Sequence, residues 1–441
     1  MQKKPGKNPS NDAEEPDDSD QDSASQTIPD FGFDTAAWRE YCKSTAQFPA
    51  GYTYLAQLMG HDLGNTVDAA TIPGAADSSH PRLNLIDHPL TLETIYGKGP
   101  AAAGPCYNTR NCLFRLGDGA MQAEKVVFTA DEPAEPLLAD MRNRDTLMLH
   151  QLAVLWMQYH NKIARALMRD DGFTEHAHAQ RSYFAEVFLR ARRIVISTWH
   201  NVLLHDLLPR IAHPAALDLP DDALESVILL DEIPVLNGVM RAFHALPLAQ
   251  YRLNAGLTAP FGELRAGKVG ERKNWRIDWR YFFGPDATNQ TGFSASYSPL
   301  FTVLSGRSIM QADLASAINA LPYDQVHDQT IAAHSLLPET LKRDISAQNL
   351  ERLFNQQAAA LGLAPLPDGA FAQLPLFLLL LLEAQFFSDS GSLGPFGSAL
   401  LRRFLQHKIG RIEAGQTTPG TPGGMTAPQS IESLIQFVKH P

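Results

Sequence analysis

The stretch Gly51-Tyr-Thr-Tyr-Leu-Ala-Gln57-Leu-Met-Gly-His61-Asp62-Leu-Gly-Asn65 decides how the chain is read. The segment reads as a helix, and Gln57 and His61 stand four residues apart, so both side chains leave one face of it. A histidine and a glutamine carried together by an apolar helix suit the polar end of a pocket otherwise made of hydrocarbon. A satisfied core histidine is the competing explanation of His61 taken alone, so the argument has to come from what surrounds this helix in the sequence.

Composition sets the frame. The chain has 441 residues, is 44% hydrophobic and 19% charged, which suits a globular protein with a large core. Its net charge is -11, from 48 acidic against 37 basic residues, which argues against nucleic acid or an anionic membrane as the main partner. Cys42, Cys106 and Cys112 lack Cys-x-x-Cys spacing and read as ordinary thiols of a reducing compartment. Met1 to Asp22 has no apolar h-region, so the expectation is a cytoplasmic protein, with non-classical secretion left open. Residues 1–27 read as a disordered acidic tail, and residues 28–441 as one domain. The greasiest run, Leu376 to Leu382, is closed by Glu383 and is too short to span a bilayer, so no membrane insertion is expected.

Periodicity predicts a mainly α fold with few or no strands. A long helix is expected from Thr146 to Arg169, where Leu149, Leu152, Trp156, Tyr159 and Ile163 recur at steps of three and four. A second is expected from Gln180 to Asp206, and others around Asn237–Leu248, Leu314–Leu321, Pro338–Leu361, Phe371–Phe387 and Leu393–His407. Gly415 to Gln429 reads as a Pro/Gly-rich linker to a short closing helix, Ile431–Val438. His150 and His160 lie on the first long helix ten residues apart, a poor spacing for metal ligands, and read as packing or hydrogen-bonding residues. No His-Glu-x-x-His is present, so a zinc hydrolase finds no motif.

Gln57-x-x-x-His61-Asp62 resembles the distal helix of the animal-type haem peroxidase superfamily, also called the peroxidase-cyclooxygenase superfamily. Ala139-Asp-Met-Arg142-Asn-Arg-Asp145, with Leu149-His150 and His160-Asn-Lys-Ile-Ala164 after it, is similar to that family's Gly-Asp-x-Arg-x-x-Glu segment and its continuation. Val239-Met-Arg241-Ala-Phe-His244, followed by Tyr251-Arg-Leu-Asn254, resembles its proximal helix. Val202 to Arg210, Arg276 to Phe283 with Ser298 to Phe301, Leu376 to Gly397 and Ile431 to Phe437 are similar to further segments of its bacterial branch. The resemblance runs from about Gly51 to Phe437.

It implies a helical domain around one haem and a peroxidase that reduces hydrogen peroxide through a ferryl intermediate, then oxidises a small donor, a halide or a phenol or other aromatic. His61 becomes the distal base, Arg142 the distal arginine, Gln57 a residue that orders pocket water, His244 the axial ligand of the haem iron and Arg241 a partner of a haem propionate. These types suit the chemistry: imidazole titrates near neutrality, and guanidinium keeps its charge. The family's two haem esters fall on Gly60 and Asp145. The first is impossible and the second needs a longer carboxylate, so a non-covalent b-type haem is expected. The resemblance also puts a calcium ion within reach of Asp62, Thr91 and Glu93, with Thr91 where a second carboxylate is usual. Ser308 stands about where an asparagine normally accepts the other N–H of the axial imidazole.

Two alternatives are weighed. Fatty-acid dioxygenases of the same superfamily need a tyrosine three residues ahead of the axial histidine. Arg241 holds that place here, and residues 229–244 contain no tyrosine. A haem-binding protein without turnover has no need of Gln57, His61 and Arg142 together. The residues carry no signal for an oligomeric state.

Overall fold

The computed structural model describes residues 49–68, 82–117, 125–126, 135–173, 181–225, 250–265, 275–283, 393–414 and 420–439, with single residues or short pieces at 227–240, 351–356 and 380. Helices dominate: α1 (Gly51–Leu63), α2 (Glu93–Tyr96), α3 (Leu147–Asp170), α4 (Arg181–Val202), α5 (Pro395–Glu413) and α6 (Ile431–Lys439). Among the described residues three two-stranded antiparallel pairs accompany them: β1 (Thr66–Asp68) with β2 (Arg82–Asn84), β3 (Lys125–Val126) with β4 (Glu135–Pro136), and β5 (Gln250–Asn254) with β6 (Leu257–Pro260).

The two long helices fall where the periodicity put them. Thr146 caps α3, its side chain accepting from the Leu149 N–H at 3.2 Å. Gly172 ends the helix at φ +70°, and the Phe173 N–H returns to the Met168 carbonyl at 2.8 Å. α3 packs along α4 through Trp156 and Trp199, whose ring centroids lie 5.1 Å apart, edge to face. α4 runs into a π-helical turn, Leu203–Leu207, which continues to the single turn Leu208–Ile211. That turn presents Asp206 inward. Its carboxylate accepts from Tyr52 Oη at 3.0 Å on α1, from Arg210 Nε at 3.0 Å and from the Ile431 N–H at 2.8 Å at the start of α6. The closing helix is thereby tied to the core that also holds α1.

α5 runs from Pro395 to Glu413, somewhat beyond the expected His407, and α6 matches the expected closing helix. Part of the expected Pro/Gly linker is ordered as the 3-10 turn Pro422–Gly424. The helices expected around 314–321 and most of those at 338–361 and 371–387 lie outside the described residues. The β5–β6 hairpin is a strand pair that periodicity did not predict. Gln151 of α3 ties the neighbouring segment down, its amide bonding Trp275 O and Ile277 N at 2.9 Å each.

α1 threads the core. Its first residue must be glycine, because a Cβ there would meet the Phe283 ring at 2.5 Å and the Phe282 carbonyl at 2.7 Å, while the Gly51 N–H donates to that same carbonyl at 2.8 Å. Overpacking of this kind costs about 1–3 kcal/mol. Gly51→Ala is therefore expected to lower the thermal midpoint by several degrees, and an unchanged midpoint in a melting experiment contradicts this packing.

Candidate active site

Eleven of the 13 residues of α1 are buried, and the two that are not are Gln57 and His61. The helix is thus enclosed everywhere except along the one stripe that carries both polar side chains, as a helix lining a hollow should be. Beside them, a methyl placed on Gly60 would lie 3.7 Å from Leu236 Cδ1 and 4.0 Å from Met240 Cβ. Met240 is four residues ahead of His244, so the segment leading to the expected axial ligand packs directly against the helix of the expected distal base. Arg241, His244 and Ser308 themselves lie outside the described residues.

The end of α1 is held by a ring of hydrogen bonds that the spacing of the sequence does not reveal. Arg142 sits in the 3-10 turn Met141–Arg144, capped by Asp140. Its Nη1 donates to Gly64 O at 2.7 Å and its Nη2 to His61 O at 2.9 Å, satisfying carbonyls left over at the helix C-terminus. Nε and Nη2 also grip the Asp140 carboxylate, at 3.1 and 2.6 Å. Burial pushes the Asp140 carboxyl up, but bonding and charge from Arg142 outweigh it and hold the group below the usual carboxylate range. Arg142 is therefore both the cation beside His61 and a clamp on its helix. Asp145 ends the same turn, three residues beyond Arg142, and is exposed.

Asn143 was not singled out by the sequence, yet it touches the base directly: Asn143 Oδ1 lies 3.0 Å from His61 Nδ1. Its Nδ2 donates to Thr94 O at 2.9 Å and to Thr94 Oγ1 at 3.0 Å, and Thr94 Oγ1 in turn donates to Asp140 Oδ2 at 3.0 Å. The only hint in the sequence was its place next to Arg142.

The three residues expected at a calcium ion make other bonds in this structure. Asp62 is wholly buried, and its Oδ2 accepts from the Leu92 N–H at 2.8 Å and from Trp199 Nε1 at 3.1 Å. Hydrogen-bond donors surround that oxygen, where a cation site needs further oxygens. Oδ1 has no hydrogen-bond partner among the described residues. The Glu93 carboxylate is taken by the His88 N–H at 2.8 Å and by the Lys98 ammonium, which also pairs with Asp87. Thr91 Oγ1 donates to His88 O at 2.8 Å. Among the described residues no group of three or more His, Cys, Asp or Glu is placed to hold a metal. Asp62 thus ties the loop before α2 to α1 and α4, Thr91 and Glu93 bond within that loop, and Asp62 Oδ1 is the one carboxylate oxygen among them without a hydrogen bond among the described residues.

His160 is a buried hydrogen-bonding histidine, as expected. Its Nδ1 lies 3.0 Å from Tyr96 Oη, and burial, with Arg192 nearby, pushes its pKa down to about 3, so it stays neutral. No helix among the described residues is long and apolar enough to cross a membrane.

The model of the animal haem peroxidase family matches residues 76–302, just over half of the chain. The chain belongs to the animal haem peroxidase family. The matched stretch contains Arg142, Asn143, Asp145, Arg241 and His244, while α1 with Gln57 and His61 precedes it. No curated protein matches in sequence. Among solved structures, peroxidase A from Dictyostelium discoideum superposes with a TM-score of 0.54 at 11% identity, over 91% of this chain and 88% of that one. A fatty acid alpha-dioxygenase from Oryza sativa gives 0.51 at 12% identity, over 90% and 74%. A Tyr→Phe variant of that rice enzyme with palmitic acid gives 0.51 at 13%, over the same shares. At such identities these likenesses speak for the fold, the helical architecture of the peroxidase-cyclooxygenase superfamily. Family membership makes the protein a haem-binding oxidoreductase. The described part of the site fits that group: an imidazole that is not fully buried, with an accepting partner on Nδ1, and an arginine at its back.

Proposed function

We propose that this protein is a peroxidase that reduces hydrogen peroxide and oxidises a small donor, a halide or a phenol or other aromatic. The observation that supports it most is the pairing of Gln57 and His61 as the only residues of α1 that escape full burial. His244 would hold a b-type haem without covalent links, and that group would supply the chemistry that cleaves the O–O bond and stores the oxidising power. His61 Nε2 takes the proton from the nearer peroxide oxygen and returns it to the farther one, which departs as water. Arg142 favours uneven cleavage by adding positive charge at the back of the base, tempered by Asp140. Gln57 orders water or a halide beside His61. Arg241 would pair with a haem propionate, and Ser308 would accept from the His244 imidazole.

The second reading is a fatty-acid dioxygenase. It is disfavoured by Arg241, which stands where that chemistry needs a tyrosine. A mixed assay separates the two. Peroxide-dependent oxidation of a phenol or halide is expected, with no oxygen uptake when an unsaturated fatty acid is supplied. Oxygen uptake with the fatty acid and no peroxide-dependent turnover reverses the assignment, and a purified protein without a Soret band removes both.

A further inference from the structure

We infer that Asn143 is a positioning residue that fixes the tautomer of His61, acting as the near end of a directed relay from Asp140 through Thr94. The inference rests on the reading of His61 as the base. It concerns a property, the placement of one proton on the ring, that exists whether or not peroxide turns over.

Each bond in the relay has only one workable direction. The Thr94 carbonyl can only accept, so the Asn143 group facing it at 2.9 Å must be the amide nitrogen. That places Oδ1, which can only accept, against His61 Nδ1 at 3.0 Å. His61 Nδ1 therefore carries the hydrogen, and the lone pair lies on Nε2. The Thr94 hydroxyl spends its hydrogen on the Asp140 carboxylate at 3.0 Å and accepts from Asn143 with its lone pair. The carboxylate thus polarises the hydroxyl, the hydroxyl the amide, and the amide the imidazole. Asn143 and Thr94 are both about 99% buried, so water does not compete for these bonds. Asp140 closes the circuit by holding Arg142, which in turn holds the carbonyl of His61. The same residue that donates its ring proton to the relay is anchored by it through its backbone.

The consequence for the reaction is specific. A base must present a lone pair to peroxide, and the wrong tautomer presents a hydrogen. When Nε2 gains the proton of peroxide, both ring nitrogens carry hydrogen, and Asn143 Oδ1 continues to accept from Nδ1 throughout. No reorganisation of the ring is needed between proton uptake and proton return.

The test uses the full chain labelled with 15N-histidine, as the diamagnetic ferrous carbonyl form, with the His61 ring assigned by comparison with His61→Gln. Wild type is expected to show the Nδ1–H tautomer alone. Asn143→Leu should give a mixture or the opposite tautomer and slow the reaction with peroxide by about tenfold to a hundredfold. Asn143→Asp keeps an acceptor in place and should restore the tautomer. Because Asn143→Leu also strands the buried Thr94 carbonyl, at a cost to folding, Thr94→Val is the second variant. It removes the hydroxyl yet leaves the carbonyl that orients the amide, so the tautomer should persist while the rate falls severalfold. Nε2–H in wild type, an unchanged tautomer in a folded Asn143→Leu variant, or loss of the tautomer in Thr94→Val each overturns the inference. A protein that binds no haem fails the proposed function instead, and its His61 tautomer remains readable by the same spectrum.

Discussion

His61→Ala is expected to slow the first reaction with hydrogen peroxide by about a hundred- to ten-thousand-fold, the range in which a positioned general base contributes. Haem content and the resting optical spectrum should stay as in wild type, because in the proposed reading His244, and not His61, holds the iron. Rapid-mixing absorbance in the Soret region measures both quantities in one experiment. The substitution spares the core, because His61 is not fully buried and lies on the one stripe of α1 that is not enclosed. A slow variant with full haem therefore reports on proton transfer and not on folding. An unchanged rate removes His61 from the chemistry, and loss of haem moves it to the cofactor-holding role.

What could be read from the sequence, and what could not, divides along physical lines. α4 was legible because it buries one stripe, and α3 because it is buried all round but for a row through Gln158, Lys162, Arg165 and Arg169; both print a three-to-four-residue period. The apolar period alone placed the start at Thr146, and the structure adds that its hydroxyl caps the first turn. Gln57 and His61 were legible as a pair on one face, and the fold leaves that face open. The β5–β6 hairpin escaped notice because its strands hold five and four residues, too few for alternation to stand out, although Tyr251 and Leu253 are buried in alternation and Asn254-Ala-Gly256 marks its turn. Asn143 escaped because its role depends on a partner 82 residues away, and no local pattern encodes which way an amide faces. The bonding around α2 was illegible for a related reason. A carboxylate in a sequence is an oxygen donor to anything, and only the structure shows that N–H groups bond Asp62 Oδ2 and that an N–H and a lysine bond Glu93.

Asp62→Ala should be among the most destabilising single changes in the described part of the protein. Removing the carboxylate strands the Leu92 N–H and the Trp199 indole N–H in a buried setting, and each orphaned donor costs about 1–3 kcal/mol. The loop it releases is already under tension, since Leu90 and Leu92 hold φ at +63° and +56°, a region that side-chain-bearing residues rarely occupy. A total loss of about 2–6 kcal/mol follows, readable as a shift of the denaturant midpoint. Asp62→Asn should behave differently, because its amide oxygen still accepts both bonds. Burial pushes the Asp62 carboxyl up to about 7, against the downward pull of the Leu92, Thr94 and Glu93 N–H groups and the Trp199 indole. A folded pKa above the unfolded one means that the folded chain keeps a proton the unfolded chain has lost. Stability from this group is complete below about pH 4 and is lost as the pH rises through 7. Asparagine has no such proton to lose, so Asp62→Asn should gain on wild type as the pH is raised from 5 to 8, whereas Asp62→Ala stays well below wild type across that range. Equal midpoints for the alanine variant and wild type, or an asparagine variant that loses ground with rising pH, would show that Asp62 neither holds this loop nor carries a proton in the fold.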